Sequence, residues 1–198
     1  MYGEISMPVE LWFPTAIYIE DNLFSKEQND AWAEHVLDYK KSIPSGGDGW
    51  FGDTYTTHGT FDILNDPVFA PLVESITSHV NKFAKMHGST GVFSCDYSWV
   101  NIADAGQFQE FHTHNGNTFS LSYYITAPEG SGQIVFEDPK EPDMKPVKNI
   151  AERNTLSFIK TGIAPKQGSL ILFRSYLRHL VTPGTNTSPR ISVSMNFN

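Results

Sequence analysis

Arg190-Ile191-Ser192-Val193-Ser194-Met195-Asn196-Phe197 alternates strictly, polar at even positions and apolar at odd ones. Successive side chains of a β-strand point to opposite faces, so the stretch reads as a strand with one wholly polar and one wholly apolar face. The apolar face needs a core. The polar face admits two readings. It meets water, as one side of an antiparallel sheet often does. Alternatively it lines a hydrophilic pocket in which Arg190 offers a bidentate fork to a carboxylate. In the second case every hidden polar group has to find a partner.

Working back from this strand, the second half of the chain breaks into short β segments near 92–102, 107–113, 118–126, 132–137, 154–161, 169–173, 178–182 and 190–197. Turn-forming residues separate them, among them Asp104-Ala105-Gly106, Asn115-Gly116-Asn117 and Pro183-Gly184. Residues 138–149 carry three prolines and mixed charge and read as a surface loop. Eight strands with hairpin-sized turns predict a jelly roll or barrel.

Two helices precede it. Residues 9–19 alternate and favour β structure, which predicts an early strand interrupted at Pro14. Ser25-Lys26-Glu27-Gln28 is a capping box, opening a helix to about residue 40 with Trp32, Val36 and Tyr39 on its apolar stripe. The glycine-rich stretch 44–49 lacks the lysine of a phosphate-binding loop and reads as a flexible connection. Residues 50–65 show no period. Asp66 caps a second helix with Pro67 at its first position, and Leu72, Ile76, Val80 and Phe83 share one face before Gly88 stops it. The class is therefore mainly β (α+β), with both helices packed on one sheet. One domain is expected over 1–198, helical support at 20–90 and barrel at 91–198.

Composition narrows the function. The 198 residues carry 14 Lys plus Arg against 22 Asp plus Glu, a formal charge of −8, which disfavours a nucleic-acid partner. Cys95 is the single cysteine, so neither an intramolecular disulfide nor a cysteine metal cluster is available. No apolar run reaches the ~18 residues of a membrane span. A cytoplasmic protein is expected, its oligomeric state left open, a homodimer included.

Among the seven histidines, His112-Thr113-His114 places two imidazoles at i and i+2, on one face of a strand. Side by side, they can share a metal ion. His35, His79 and His87 fall on or near helices and read as solvated or capping. His58 sits in the aromatic stretch after residue 50. Trp99 and Phe108 read as core.

Three ordered motifs carry a resemblance. They are His112-Thr113-His114 followed by Phe119-Ser120-Leu121-Ser122-Tyr123-Tyr124; Gly168-Ser169-Leu170-Ile171-Leu172-Phe173-Arg174-Ser175-Tyr176-Leu177-Arg178-His179; and Pro189-Arg190-Ile191-Ser192-Val193-Ser194-Met195-Asn196-Phe197-Asn198. From about Trp99 to the C-terminus, half the chain, the sequence resembles the 2-oxoglutarate/Fe(II)-dependent oxygenases. These are built on a double-stranded β-helix (a jelly-roll, cupin-like fold). The likeness is to a branch of bacteria and phages with an H-x-H motif and a C-terminal R-I-S-x-S strand. The resemblance implies that His112 and His179 bind Fe(II). It also implies that Arg190 grips the distal carboxylate of 2-oxoglutarate with Ser192 hydrogen-bonding beside it. Asn101 and Tyr123 or Tyr124 are further candidates for holding the cosubstrate.

One departure stands out. The wider superfamily uses two histidines and a carboxylate, and the carboxylate position here carries His114. Either His112, His114 and His179 form the metal site, or Glu110, on the same face of the predicted strand, supplies a carboxylate. What the resemblance implies is an oxygenase that uses dioxygen and 2-oxoglutarate, releases succinate and CO2, and hydroxylates a protein side chain, such as proline, or a small metabolite. Two other readings stay open: a three-histidine cupin-type metal dioxygenase that does not use 2-oxoglutarate, and a non-enzymatic β-sandwich binding module.

Overall fold

A computed structural model of the chain describes residues 10–47, 51–140 and 147–198. Residue 9 of the predicted first strand, residues 48–49 of the glycine-rich stretch, Trp50 and residues 141–146 of the predicted surface loop lie outside the described residues.

The alternating C-terminal stretch forms the last strand, Arg190–Phe197, which is buried over its entire length. It lies inside a six-stranded antiparallel sheet between Cys95–Ala103 and Phe119–Thr126. Numbered in chain order, the strands are β1 Ile17–Glu20, β2 Tyr55–Thr56, β3 Cys95–Ala103, β4 Gln109–His112, β5 Phe119–Thr126, β6 Ile134–Glu137, β7 Lys160–Ile163, β8 Leu170–Arg174, β9 His179–Val181 and β10 Arg190–Phe197. The larger sheet runs β1-β8-β5-β10-β3-β2 and the smaller β4-β9-β6-β7. The two antiparallel sheets make the jelly roll expected from the turn spacing.

The odd and even faces of β10 go to different places. Ile191, Val193, Met195 and Phe197 join a core with Trp32, Val36, Leu72, Ile76, Val80 and Phe83 from the two main helices. Those helices are α1, Lys26–Leu37, and α3, Ala70–Met86, with the single turn α2, Tyr39–Ser42, after α1. Ser25 caps α1 by accepting from the Gln28 amide at 3.2 Å. The predicted first helix breaks at Asp38, and the second opens with a 3-10 turn, Pro67–Phe69, before α3. Asp66 caps that turn at Val68 and also accepts from Tyr39 and hydrogen-bonds His35, tying the two helical regions together. No helix among the described residues is long and apolar enough to cross a membrane.

The same parity runs through β5. Phe119, Leu121, Tyr123 and Ile125 face the helices. Tyr124 belongs to a second cluster with Ile134, Phe136, Ile171, Phe173 and Leu177, drawn from both sheets. Neighbouring residues on a strand cannot share a face, so Tyr123 and Tyr124 cannot serve the same pocket. The Tyr123 hydroxyl donates to Asn29 Oδ1 at 2.6 Å, and its ring meets Trp32 edge-on at 6.4 Å. Tyr123, expected to touch a cosubstrate, is thus placed on the helix side of the sheet.

Three further expectations differ in detail. β1 begins only at Ile17, past the proline. β7 begins at Lys160 instead of residue 154, because Asn154 to Ser157 closes a turn through Ser157 N–Asn154 O and Asn154 N–Ser157 Oγ bonds. The two-residue β2 within the aperiodic stretch is too short to leave a period.

Tyr123→Phe strands the Asn29 carbonyl oxygen in the core. It is expected to lower stability by about 1–3 kcal/mol in urea unfolding, without disturbing the opposite face of the sheet.

Candidate metal centre

Strands β4 and β9 pair antiparallel with His112 directly opposite His179, and Phe136 of β6 faces His179 from the other side. Between Gln109 and His112 the register slips by one residue, a bulge that re-aims the end of β4. The strand ends at His112. The chain then runs through Thr113 to His114, whose amide donates to Ser175 O at 3.0 Å. The three rings converge, with centroids 5.2 Å apart for His112–His114, 4.3 Å for His112–His179 and 5.1 Å for His114–His179. One ligand atom from each lies within 4.8 Å of the others, a spacing that suits a shared metal ion.

Their hydrogen bonds set the tautomers. His112 Nδ1 bonds Glu110 O at 2.7 Å, and His179 Nδ1 bonds Leu177 O at 2.9 Å, in each case a carbonyl two residues back. His114 Nδ1 bonds Asn196 Oδ1 at 2.7 Å, across the barrel. Each partner oxygen is an acceptor, so Nδ1 carries the proton and the lone pair falls on Nε2, as metal ligation requires. His114 Nε2 is buried with no hydrogen-bond partner, a lone pair that a metal would satisfy. Burial pushes the basicity of all three imidazoles down: His112 is lowered, His114 falls to about 4, and His179 lies well below the ordinary value. Proximity of the other imidazoles adds to the effect on His114 and His179.

Glu110 is not part of the converging group. One of its carboxylate oxygens accepts from the Phe51 amide, and the other is buried without a hydrogen bond. The bulge accounts for this, since it breaks the strict alternation by which residues 110, 112 and 114 would share a face.

The even face of β10 lies between the sheets, with Arg190 2%, Ser192 5%, Ser194 6% and Asn196 8% exposed, which excludes the water-facing reading. Arg190 Nη1 donates to Gly132 O at 3.2 Å, while its Nε is buried without a partner. No carboxylate among the described residues pairs with it. An uncompensated buried cation is costly, and a bound anion would remove that cost. Tyr124 is buried close enough to feel the guanidinium charge. Ser192 is paired in register with Asn101 on one side and Tyr124 on the other.

Beside the histidines opens a cavity of about 340 Å³, whose wall includes His112, His114, Asn101, Gln109, Asn196, His58, Trp99 and Phe108. Asn101 bonds Ser194 Oγ and Gln109 Nε2, both at 3.3 Å. Arg190, Ser192 and Tyr123 are not on that wall. Trp99 and Phe108, read as core from the sequence, do line it; the Trp99 ring lies 5.5 Å from that of His114, and His58 packs edge-on against Trp99 at 4.9 Å. Their aromatic character alone cannot separate a core from a cavity wall. His35, His79 and His87 bond Asp66, Tyr18 and Phe83 O respectively, away from the histidine cluster.

The depressed basicities have a direct consequence. In the unfolded chain these imidazoles take up protons at about pH 6.5, while in the folded protein they resist until lower pH. The unfolded state therefore binds more protons in this window, and stability of the metal-free protein falls as pH drops from about 7 to 5, before carboxylates contribute. Urea midpoints at the two ends of that window, with an unchanged m-value, measure the effect.

A family model described as "Putative 2OG-Fe(II) oxygenase" matches residues 97–196. No curated protein matches the chain. Among solved structures, a Pseudomonas putida prolyl-4-hydroxylase superposes with a TM-score of 0.64 at 11% identity, covering 93% of this chain and 92% of that one. The viral collagen prolyl hydroxylase of Paramecium bursaria Chlorella virus-1, solved as a 2OG complex, gives 0.60 at 15% identity, over 91% and 94%. HygX from Streptomyces hygroscopicus, solved with nickel and 2-oxoglutarate, gives 0.64 at 12% identity, over 93% and 83%. At such identities the structural likeness speaks for the fold. The family match spans half the chain, β3 to β10, and on it this protein belongs to the 2OG-Fe(II) oxygenases, enzymes whose cofactors are Fe(II) and 2-oxoglutarate.

Proposed function

We propose that the protein is an Fe(II)- and 2-oxoglutarate-dependent hydroxylase in which His112, His114 and His179 hold the metal and Arg190 binds the distal carboxylate of 2-oxoglutarate. The observation that carries this reading is the pairing of two unmet needs along the polar face of β10, at Arg190 at one end and at His114, bonded to Asn196, at the other. A buried imidazole lone pair at His114 Nε2 asks for a cation, and a buried guanidinium at Arg190 asks for an anion. When bound, iron with 2-oxoglutarate and dioxygen supplies oxidative decarboxylation, yielding succinate and CO2 with oxidation of a substrate C–H bond.

The chain's own residues do the positioning. Carbonyls of Glu110 and Leu177 keep His112 and His179 in the ligating tautomer. Arg190 is already desolvated and anchored on Gly132 O, so little reorganisation accompanies carboxylate binding. Gly132, whose carbonyl meets the guanidinium, has no room for a Cβ against Thr182 O. Ser192 stands two residues along the same face, and Asn101 and Gln109 present amides at the cavity wall. Trp99, Phe108 and His58 form the side of the cavity that would receive substrate and exclude water. Burial holds His58 neutral, lowering its basicity. The substrate class is a protein side chain, prolyl groups included, or a small metabolite. The site belongs to one domain of a cytoplasmic protein.

A neutral three-histidine set also suits a cupin-type dioxygenase that dispenses with 2-oxoglutarate, and the test separates the two. Anaerobic titration of the Fe(II)-loaded protein with 2-oxoglutarate is expected to saturate. Arg190→Ala is expected to weaken that binding by about 2–5 kcal/mol while metal affinity is retained. Succinate formed in air supports the reading. A metal-loaded protein indifferent to 2-oxoglutarate, with or without Arg190, would overturn the reading and favour the cupin-type alternative if it consumed dioxygen.

A further inference from the structure

The three histidines are not fixed in the same way. His112 and His179 each bond a backbone carbonyl two residues back on their own chain segment. Almost any sequence that keeps the strand keeps those bonds. His114 has no such local partner. Its Nδ1 is held by the side chain of Asn196, which is 82 positions away in sequence.

Asn196 is itself tightly determined. Its Oδ1 accepts from both His114 Nδ1 at 2.7 Å and Ser120 Oγ at 2.8 Å. Ser120 Oγ lies 2.7 Å from Ser175 Oγ, and with its own proton given to Asn196 it accepts from Ser175. Ser175 also takes the backbone amide of His114 on its carbonyl. The proton order runs Ser175 to Ser120 to Asn196, and meets the His114 N–H at the amide oxygen. All three residues are buried, Ser120 at 0%, Ser175 at 1% and Asn196 at 8% exposure. With the Asn196 amide reversed, its NH2 would face the Ser120 hydroxyl and His114 Nδ1. The imidazole proton would then shift to Nε2, where it would be a buried donor aimed at two other imidazoles.

We propose that Asn196, oriented by Ser120 and Ser175, is the positioning residue that makes His114 a metal ligand, where the wider superfamily uses a carboxylate. The proposal rests on the three-histidine reading above. A carboxylate ligand needs no tautomer control, because either oxygen can bind; an imidazole substituted for it must be told which nitrogen keeps the proton. The Ser175–Ser120–Asn196 chain supplies that instruction. It uses a neutral acceptor, so the site gains a ligand without regaining a negative charge.

The test is a double-mutant cycle read by Co(II) affinity and by the visible Co(II) spectrum of the full-length, metal-free protein, with thermal unfolding as a check on folding. Asn196→Ala is expected to weaken Co(II) about 10–100-fold, the usual cost of removing a partner that orients a ligating histidine. Its spectrum should move toward that of His114→Ala. In the His114→Ala background the same change is expected to have no further effect on affinity. Asn196→Asp, which keeps an acceptor, is expected to restore binding. Ser120→Ala, a milder change, should give a smaller loss of the same kind if Asn196→Ala folds poorly. Equal losses in both backgrounds, or failure of Asn196→Asp to restore affinity, would overturn the proposal. A wild-type protein that does not bind Co(II) would count instead against the metal site itself.

Discussion

The structure depends on the burial of β10 between a helix-backed apolar core and the space between the two sheets. Its odd residues bring Ile191, Val193, Met195 and Phe197 against α1 and α3, and that burial stabilises the fold. The same strand necessarily drives Arg190, Ser192, Ser194 and Asn196 out of water on the other side. Those groups must be paired inside the protein. Ser194 meets Asn101, and Asn196 meets Ser120 and His114, whereas Arg190 meets one carbonyl and keeps an unpaired Nε. The unmet group is the observation behind the proposed carboxylate site.

The histidine cluster sits at the other end of this polar face and follows the same accounting. Burial keeps all three imidazoles neutral, the protonation state in which nitrogen can ligate. The arrangement brings three neutral ring nitrogens together, the form that ligation of a metal would require. It is set by the direct apposition of His112 and His179 across β4 and β9, by the Ser175 and Asn196 oxygens that hold His114, and by a register shift in β4 at which Glu110 meets the Phe51 amide. Three neutral ligands leave more positive charge on a divalent metal than two histidines and a carboxylate would. On the proposed reading, a dianionic cosubstrate with one carboxylate on Arg190 would offset that charge, so the ligand change and the buried arginine would be parts of one balance.

The fold was largely legible from alternation, turn residues and caps, because these are local signals. β10 could be read almost residue by residue, and Ser25 and Asp66 cap where their side-chain chemistry places them. The misplaced elements are those in which local pattern was weak: β2 has two residues, and β7 starts only after the Asn154–Ser157 turn. Parity would have separated Tyr123 from Tyr124, since β5 alternates as clearly as β10. A motif names both tyrosines together, but a strand sends them to opposite sides.

For the site, residue types and spacing were enough to bring His112, His114, His179 and Arg190 forward as candidates, because metal ligation and carboxylate binding need particular functional groups; the structure brings the three histidines together and buries Arg190. Spacing could not choose between His114 and Glu110, since the one-residue bulge that distinguishes them is a property of how β4 pairs with β9. Nor could it identify Asn196, Ser120 and Ser175 as one chain of hydrogen bonds, or Trp99 as a cavity wall. Hydrophobic periodicity is written along the chain and survives in the sequence alone. Which imidazole nitrogen faces a metal is decided by a partner far away in sequence, and only the packing of the two sheets brings that partner within reach.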